Sequence, residues 1–222
     1  MSGRASVLIP ADPLPKKPTA LQARGISTTG VHGSRVLRSG DPVAPPIDQS
    51  ATFRWEGPSD GELLYTRYGN NLIQKEVGEK IAQLEGMEAG VVLASGMGAT
   101  AMTMLALTQA GDHIVASEAL YGATAKLFAE ELPRRGVTTT FVDPFAPRAF
   151  RSAVGKNTRL LFLETPTNPT LRVVDPRPVA ALAHERGIQL VVDSTFASPV
   201  NLRPGLLGRS EEHTSELQSQ ST

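Results

Sequence analysis

The 222-residue sequence contains no cysteine, which excludes disulfide bonds, thiolate zinc sites and a cysteine nucleophile. It also lacks an excess of charge of either sign, because 22 Lys and Arg residues balance 22 Asp and Glu residues. Nucleic acid and anionic membranes are therefore not expected as partners. The four histidines are scattered without metal-ligand spacing, and no metal site is predicted.

Charged residues are absent from residues 90–111, a stretch long enough to raise the question of a membrane span. Its content of Ala, Gly, Ser and Thr and the break at Ser95-Gly96-Met97-Gly98 favour a buried strand, a turn and a buried helix instead. The first fifty residues lack the apolar core of a secretory signal. We therefore expect a cytoplasmic protein without membrane association.

The amino-terminal region, residues 1–60, is rich in proline and shows little hydrophobic periodicity. This composition is typical of an extended arm. We expect the arm to lie over the surface of a partner.

The last region, residues 209–222, has a single large apolar residue, Leu217, and could not contribute to a core. Its sequence resembles the peptide obtained by translating a sequencing-library adapter. We interpret it as a non-native polar tail joined to a broken reading frame, because the pattern before it stops without a closing helix. The alternative is a natural disordered tail.

Between these regions, residues 61–208 alternate between strand and helix patterns. The predicted strands are 90–94, 113–117, 138–142, 159–164 and 188–192, and the predicted helices are 71–86, 99–109, 123–134, 147–154 and 176–186. This alternation predicts an α/β domain with a mostly parallel sheet and helices on both faces.

Polar residues follow two consecutive predicted strands. Residues 159–164 lead towards Asn168, and residues 188–192 lead into Asp193. Asp175-Pro176 marks the start of the helix between them. A strand, helix and strand unit of this length forms a right-handed parallel crossover. Asn168 and Asp193 are therefore expected at one edge of the sheet, where open α/β sheets bind polar cofactors or substrates.

The glycine-containing loop Ser95-Gly96-Met97-Gly98 precedes a predicted helix, whose N-terminus can bind a phosphate through backbone N–H groups. The pattern Gly96-x-Gly98-x-x-Ala101, with Glu118 about twenty residues later, also satisfies a loose dinucleotide-binding fingerprint. Small residues at these positions equally permit close packing of the helix on the sheet. The loop alone leaves dinucleotide binding, phosphate binding and packing open.

Four further residues carry two interpretations each. Asp193 is either a structural carboxylate or the counter-ion of a protonated ring nitrogen, and Tyr121 is either a surface tyrosine or a ring that stacks on a flat cofactor. Tyr65 and Arg67 lie two residues apart and point the same way if the segment is extended, which suits phosphate capture. The alternative for this pair is a solvated turn.

The order of the motifs along the chain is similar to that of one enzyme family. The motifs are Pro46-Ile47-x-Gln49-Ser50-x-Thr52-Phe53, Tyr65-Thr66-Arg67-Tyr68-Gly69-Asn70, Ser95-Gly96-Met97, Tyr121-Gly122, Glu164-Thr165-Pro166-Thr167-Asn168-Pro169 and Val192-Asp193-Ser194-Thr195-Phe196-Ala197-Ser198-Pro199. Over residues 26–208 the sequence resembles the Cys/Met-metabolism family of pyridoxal-phosphate enzymes, which includes cystathionine γ-synthase, cystathionine lyases and homoserine-ester sulfhydrylases. Small departures are Ser194, where Asn is commoner, and Asn71, where Pro is usual.

The resemblance implies a fold and a cofactor. The fold is the large domain of the fold-type I enzymes that bind pyridoxal 5′-phosphate, here incomplete over residues 61–208. In this family Gly96 and Met97 would donate backbone N–H groups to the cofactor phosphate. Tyr65 and Arg67 would reach the phosphate of a neighbouring subunit, so that a homo-oligomer, typically a tetramer, completes the site.

The remaining site residues are also implied by the resemblance. Tyr121 would stack on the pyridine ring and assist proton transfer as the substrate amine displaces the enzyme lysine. Asn168 would hydrogen-bond the phenolic oxygen of the ring, and Thr195 would pack near the ring. The Asp193 carboxylate would keep the pyridine nitrogen protonated, so that the ring withdraws electrons.

The implied function is elimination or replacement on an amino-acid substrate such as cystathionine or an O-acyl-homoserine. One alternative is a nicotinamide-dependent oxidoreductase, which would use the glycine loop and Glu118 but gives no role to Asn168, Asp193 or Tyr65. The other alternative is a non-catalytic fragment that folds without either cofactor.

The Schiff-base lysine of the family lies in a Ser-x-Thr-Lys segment after the Asp193 strand, and the sequence contains no such segment. We therefore expect the 222-residue polypeptide to turn over no substrate and to bind the cofactor weakly at best. Purified chain should show no cofactor absorbance band after dialysis. A band that survives dialysis would contradict this expectation.

Overall fold

The structure is a computed structural model that describes residues 25–33, 35, 38–146 and 148–207. The helices are α1 (Ile26–His32), α2 (Leu72–Glu85), α3 (Gly96–Leu107), α4 (Gly122–Lys126), α5 (Ala149–Ala153), α6 (Arg177–Arg186) and α7 (Pro204–Leu207). The strands are β1 (His113–Ser117), β2 (Thr138–Val142), β3 (Thr158–Glu164) and β4 (Gln189–Asp193). A π-helical turn, Leu127–Glu131, extends α4. The predicted tail, residues 209–222, lies outside the described residues, as do residues 1–24 of the predicted arm.

The described strands form one parallel sheet in the order β2-β1-β3-β4. Successive strands are connected through helices, with α4 between β1 and β2, α5 between β2 and β3, and α6 between β3 and β4. Parallel neighbours require crossover connections of this kind. The prediction of an α/β fold with a parallel sheet is confirmed.

Apolar side chains cover both faces of the sheet, because successive strand residues point to opposite sides. One cluster joins the strands to α5 and α6 and includes Val115, Leu161, Val192, Phe150 and Leu182. The other joins the strands to α3 and the π-helical turn and includes Ile114, Phe162, Val191, Met104 and Phe128. Each fully buried side chain of this kind contributes about 1.5–3 kcal/mol, so helices are held on both faces. No described helix is long and apolar enough to cross a membrane.

One predicted strand, residues 90–94, is wrong. In the described part of the chain this segment pairs with no strand, and Val91 is 81% exposed. An apolar run predicts a strand only if a neighbour is available to pair with it, and pairing is not a local property. The following helix begins at Gly96 instead of residue 99, because the Ser95 side chain caps it by accepting a hydrogen bond from the Gly98 N–H.

The arm contains more regular structure than its composition predicts. Helix α1 of the arm lies against α2, and Thr52 of the arm forms an antiparallel bridge with Tyr65. The Ser50 carbonyl accepts hydrogen bonds from the Thr66 hydroxyl at 3.1 Å and from the Asn71 side-chain amide at 3.2 Å. Residues 50–52 are therefore bound to the rest of the described chain.

Helix α2 has well-defined ends. Asn71, one of the two departures from the family pattern, accepts a hydrogen bond from the Ile73 N–H at 2.8 Å, and the Gln74 side chain accepts one from the Asn71 N–H at 3.3 Å. This reciprocal pair is a capping box, which satisfies backbone donors that the helix leaves open. Gly86 ends the helix with φ +74°, a conformation in which glycine is favoured.

Gly78 of α2 and Gly90 are in direct backbone contact. A Cβ atom on residue 78 would lie 2.4 Å from the Gly90 carbonyl oxygen, and one on residue 90 would lie 2.3 Å from the Gly78 carbonyl oxygen. Neither position therefore accepts a side chain unless the backbones separate. The contact fixes α2 against the segment that leads to the Ser95 cap.

We expect Gly78→Ala to lower the free energy of unfolding by about 1–3 kcal/mol, because overpacking forces the two backbones apart. Gly30→Ala in α1 is the matched control, since no atom lies within 4 Å of a Cβ at that position. The control should be neutral or stabilising by up to about 1 kcal/mol, through helix propensity. Urea denaturation of both variants measures the difference, and equal stabilities would contradict the prediction.

Candidate functional site

The carboxyl-terminal edge of the sheet brings together residues from three strand ends. Tyr121 follows the end of β1, Asn168 follows β3, and Asp193 is the last residue of β4. Thr195 lies two residues beyond Asp193. Parallel strands present their carboxyl ends at one edge, which is where ligands bind in open α/β sheets. No group of three or more potential metal ligands is found among the described residues.

The N-terminus of α3 carries backbone N–H groups that are relevant to anion binding. The Gly98 N–H donates to Ser95 Oγ at 3.0 Å, and the Ala99 N–H donates to the Ser95 carbonyl at 2.9 Å. Within residues 38–146 and 148–207, the N–H groups of Gly96 and Met97 have no hydrogen-bond acceptor. The positive end of a helix with two such donors suits a phosphate.

Tyr121 connects the start of α4 to the end of β3. Its backbone N–H donates to Glu164 Oε2 at 2.7 Å, while the residue is 48% exposed. On the same helix, the Thr124 hydroxyl contacts Met97 Sδ at 3.6 Å, so α4 touches the N-terminus of α3. The tyrosine backbone is thus fixed, and its ring is accessible to a ligand at this edge.

Asp193 is buried, with only 8% of its surface exposed. Its Oδ1 atom accepts hydrogen bonds from the Thr195 N–H at 3.0 Å and from the Thr195 hydroxyl at 2.5 Å. Burying a carboxylate is unfavourable unless it is hydrogen-bonded or paired with a cation, and the two donors meet part of that requirement. They also fix the orientation of the carboxylate.

Glu164 is a second buried carboxyl group at the same edge. It is 4% exposed and lies opposite Asp193 in the β3–β4 register. Burial raises the pKa of Glu164 to about 7; the Tyr121 N–H opposes this rise, the Asp193 charge adds to it, and the Asn168 N–H opposes it. Near neutral pH, the Glu164 carboxyl group is therefore partly protonated.

The loop after β3 is held by a threonine side chain. Thr165 Oγ1 donates to the Val174 carbonyl at 3.0 Å and accepts from the Val174 N–H at 2.9 Å. The Thr165 N–H donates to the Asp193 carbonyl at 2.9 Å and so joins the loop to the end of β4. Asn168, which is half-buried, lies within the loop that these bonds close.

Tyr65 and Arg67 lie in a different segment, before α2. The guanidinium carbon of Arg67 is 4.6 Å from the centroid of the Tyr65 ring, and the Tyr68 ring packs edge-on against Tyr65 at 5.1 Å. Arg67 and Tyr68 are exposed. The Tyr65 and Arg67 side chains are therefore stacked on each other near the surface.

The sequence interpretation missed Glu164 as a site residue. Glu164 begins the motif that contains Asn168 but has no role in that interpretation, although a single charge at the end of the apolar run Leu160–Leu163 is an available signal. The structure shows that this charge contacts the Tyr121 backbone and faces Asp193.

Comparison with known proteins decides between the cofactors that the glycine loop leaves open. The profile of the family described as Cys/Met metabolism PLP-dependent enzyme matches residues 27–209. The chain belongs to this family. An L-methionine γ-lyase from Porphyromonas gingivalis is 38% identical over 200 residues, which are 85% of this chain and 49% of that protein. A cystathionine γ-synthase from Nicotiana tabacum is 34% identical over 211 residues, which are 89% of this chain and 39% of that protein.

Solved structures agree with the family. The crystal structure of MetB from Corynebacterium glutamicum matches with a TM-score of 0.78 and 35% identity, over 84% of this chain and 49% of that chain. The fold is therefore that of the fold-type I pyridoxal-phosphate enzymes. The chain spans about half the length of the curated relatives it matches.

Two observations contradict the alternative of a nicotinamide-dependent oxidoreductase. The family assignment points to pyridoxal phosphate, and the segment before the glycine loop is not the strand that a dinucleotide fingerprint requires.

The stability of the protein should depend on pH through Glu164. Its pKa is higher in the folded chain than in the unfolded one, so its contribution to stability is full below about pH 4.5 and is lost as pH rises through about 7. Glu164→Gln removes this titration. Between pH 5 and pH 8 the wild type should lose on the order of 2–3 kcal/mol more than Glu164→Gln in the free energy of unfolding.

Urea denaturation at the two pH values measures the loss, and Asp143→Asn serves as the control. Asp143 also follows a strand and accepts a backbone N–H, that of Phe145 at 2.9 Å. The control should keep the pH dependence of the wild type. The same pH dependence in Glu164→Gln would show that burial does not raise the pKa.

Proposed function

We propose that the protein to which this chain belongs is a pyridoxal-phosphate enzyme that acts on sulfur amino acids or homoserine esters by elimination or replacement. The observation that carries the proposal is the placement of the buried Asp193 carboxylate on the same sheet edge as Asn168 and Tyr121. The relatives named as methionine γ-lyase and cystathionine γ-synthase support the substrate class. A cytoplasmic location stays a prediction.

The residues at the edge fit the chemistry of pyridoxal phosphate. The N–H groups of Gly96 and Met97, at the positive end of α3, suit a phosphate. The exposed Tyr121 ring offers a flat apolar face, and Asn168 offers an amide to an oxygen of the ring. The Asp193 carboxylate suits a protonated ring nitrogen, because a cation would offset the burial of its charge.

The cofactor, when bound, supplies a ring that accepts the electrons released as bonds at the substrate Cα break. The protein residues would set the conditions for this chemistry. Asp193 would hold a proton on the ring nitrogen, and Thr195 would hold the carboxylate in place through its N–H and hydroxyl. Tyr121 would stack on the ring and exchange a proton with the incoming amine through its phenol.

Three of the four lysines in the described residues are paired with carboxylates. Lys75 pairs with Glu62, Lys80 with Glu76, and Lys126 with Glu130. Lys156 lies in the turn before β3, at the opposite edge of the sheet. We therefore propose that the anchoring amine is not supplied by these residues, and that the 222-residue polypeptide does not turn over substrate.

Tyr65 and Arg67 are proposed to act across a subunit interface. Their surface position suits a phosphate bound by a second copy of the chain, since Arg67 is exposed and its guanidinium is oriented by stacking on Tyr65. A homo-oligomer with a shared site follows from this proposal.

The proposal predicts that Asp193 contributes to cofactor binding. Pyridoxamine 5′-phosphate is the suitable probe, because it carries its own amine and needs no lysine anchor. The wild-type chain should bind it weakly but saturably in isothermal titration calorimetry. Asp193→Asn should weaken the affinity on the order of tenfold, about 1.4 kcal/mol, because the carboxylate partner of the ring nitrogen is lost.

Two controls give this experiment its meaning. Asp143→Asn, which also alters a carboxylate after a strand, should bind like the wild type. NADH should not bind. Equal affinities in the wild type and Asp193→Asn would remove the proposed role of Asp193, and a folded chain that binds neither ligand would favour a non-catalytic fragment.

A further inference from the structure

Glu164 is the buried ionisable group at the sheet edge that the proposed function does not use. The proposed roles fall on Asp193, Asn168, Tyr121 and the N-terminus of α3. Glu164 is more deeply buried than Asp193, at 4% against 8% exposure. A buried carboxyl group without a role is unusual, because its desolvation opposes folding.

The contact of Glu164 reaches one of the residues that would hold the cofactor. Its Oε2 atom accepts the Tyr121 backbone N–H at 2.7 Å. The contact is to backbone, so the side chain of Tyr121 stays available to a ligand. The carboxyl group thus ties the start of α4 to the end of β3, while the Asn168 backbone N–H acts on it only by lowering its pKa.

From this contact we propose that Glu164 is a positioning residue, which places the Tyr121 ring relative to Asp193 and does so according to its own protonation state. The proposal rests on the proposed function for the meaning of those positions. Its structural part concerns hydrogen bonds within this chain and stands without a cofactor.

Protonation changes the strength of the Tyr121 contact. An ionised carboxylate accepts hydrogen bonds roughly twice as strong as a neutral carboxyl group does. Loss of the Glu164 proton would therefore tighten the hold on Tyr121, while the second negative charge beside Asp193 would favour a cationic ring. Both effects change in the same direction with pH.

Asp193 is the charged group nearest to Glu164 among the neighbouring elements. Across the β3–β4 register, Asp193 is the charge that acts on it. On the sides of β1 and α4, the charged residues next along the chain are Glu118 and Lys126, which are exposed. The loop and the start of α4 contribute the uncharged N–H groups of Asn168 and Tyr121. A pH effect at Tyr121 with a midpoint near 7 is therefore assigned to Glu164.

Selective labelling tests the proposal directly. The chain has three tyrosines, so ¹⁵N-tyrosine labelling gives three backbone amide signals, and Tyr121→Phe assigns the one of interest. The Tyr65 N–H donates to Asn70 Oδ1 and the Tyr68 N–H to the Tyr65 carbonyl, which are neutral acceptors. These two signals report on the fold and should not follow Glu164.

In the wild type the Tyr121 signal should move between about pH 5 and pH 9, with a midpoint near 7. In Glu164→Gln it should stay fixed while the Tyr65 and Tyr68 signals keep their positions. Asp143→Asn should behave like the wild type. A Tyr121 signal that does not titrate in the wild type, or that still titrates in Glu164→Gln, overturns the proposal; if Glu164→Gln fails to fold, the wild-type titration alone decides.

A second measurement separates this inference from the proposed function. Glu164→Gln should bind pyridoxamine 5′-phosphate roughly three- to tenfold more weakly than Asp143→Asn at about pH 7.5. Equal affinities would count against positioning. Absence of binding in every variant, with a Tyr121 signal that titrates through Glu164, would refute the proposed function and leave the hydrogen-bond coupling established.

Discussion

Because β3 and β4 run parallel with Glu164 opposite Asp193, two carboxyl groups end side by side on one buried edge. Water is largely excluded there, so the pair depends on donors supplied by the protein: the N–H and hydroxyl of Thr195 for Asp193, and the Tyr121 backbone N–H for Glu164. The fold therefore holds a concentration of negative charge that it only partly neutralises. Such a site favours a cationic ligand, which would complete the electrostatic balance.

The elements around the edge are linked to one another by contacts that cross long stretches of sequence. Thr124 joins α4 to Met97 at the start of α3, Tyr121 joins α4 to Glu164, and Thr165 joins the loop after β3 to the end of β4. The N-terminus of α3, where phosphate binding is proposed, and the acidic end of the site are thus parts of one hydrogen-bonded assembly. A bipolar ligand, with a phosphate at one end and a cationic ring nitrogen at the other, matches this distribution of charge.

Local sequence patterns predict an element correctly where its formation and its boundaries depend on neighbouring residues in the sequence. Strands β1 and β2 begin and end at the residues expected from their apolar runs, and the order of polar strand ends placed Asn168 and Asp193 on one edge. The strand predicted at residues 90–94 does not form, because a strand needs another segment of the chain to pair with. The raised pKa of Glu164 could not be predicted either, since it arises first from burial in the packed fold and then from the Asp193 charge across the β3–β4 register. The mutual stacking of Tyr65 and Arg67 was likewise not visible in their spacing.

The double hydrogen bond between Thr165 and Val174 closes the loop that carries Asn168 without help from any ligand. A loop that is already ordered surrenders little conformational entropy when a molecule docks against it. The binding free energy at this edge would then come from direct contacts with the ligand, because little of it is needed to order the loop. The Thr165 hydroxyl would thus influence ligand affinity indirectly, through the order of the loop.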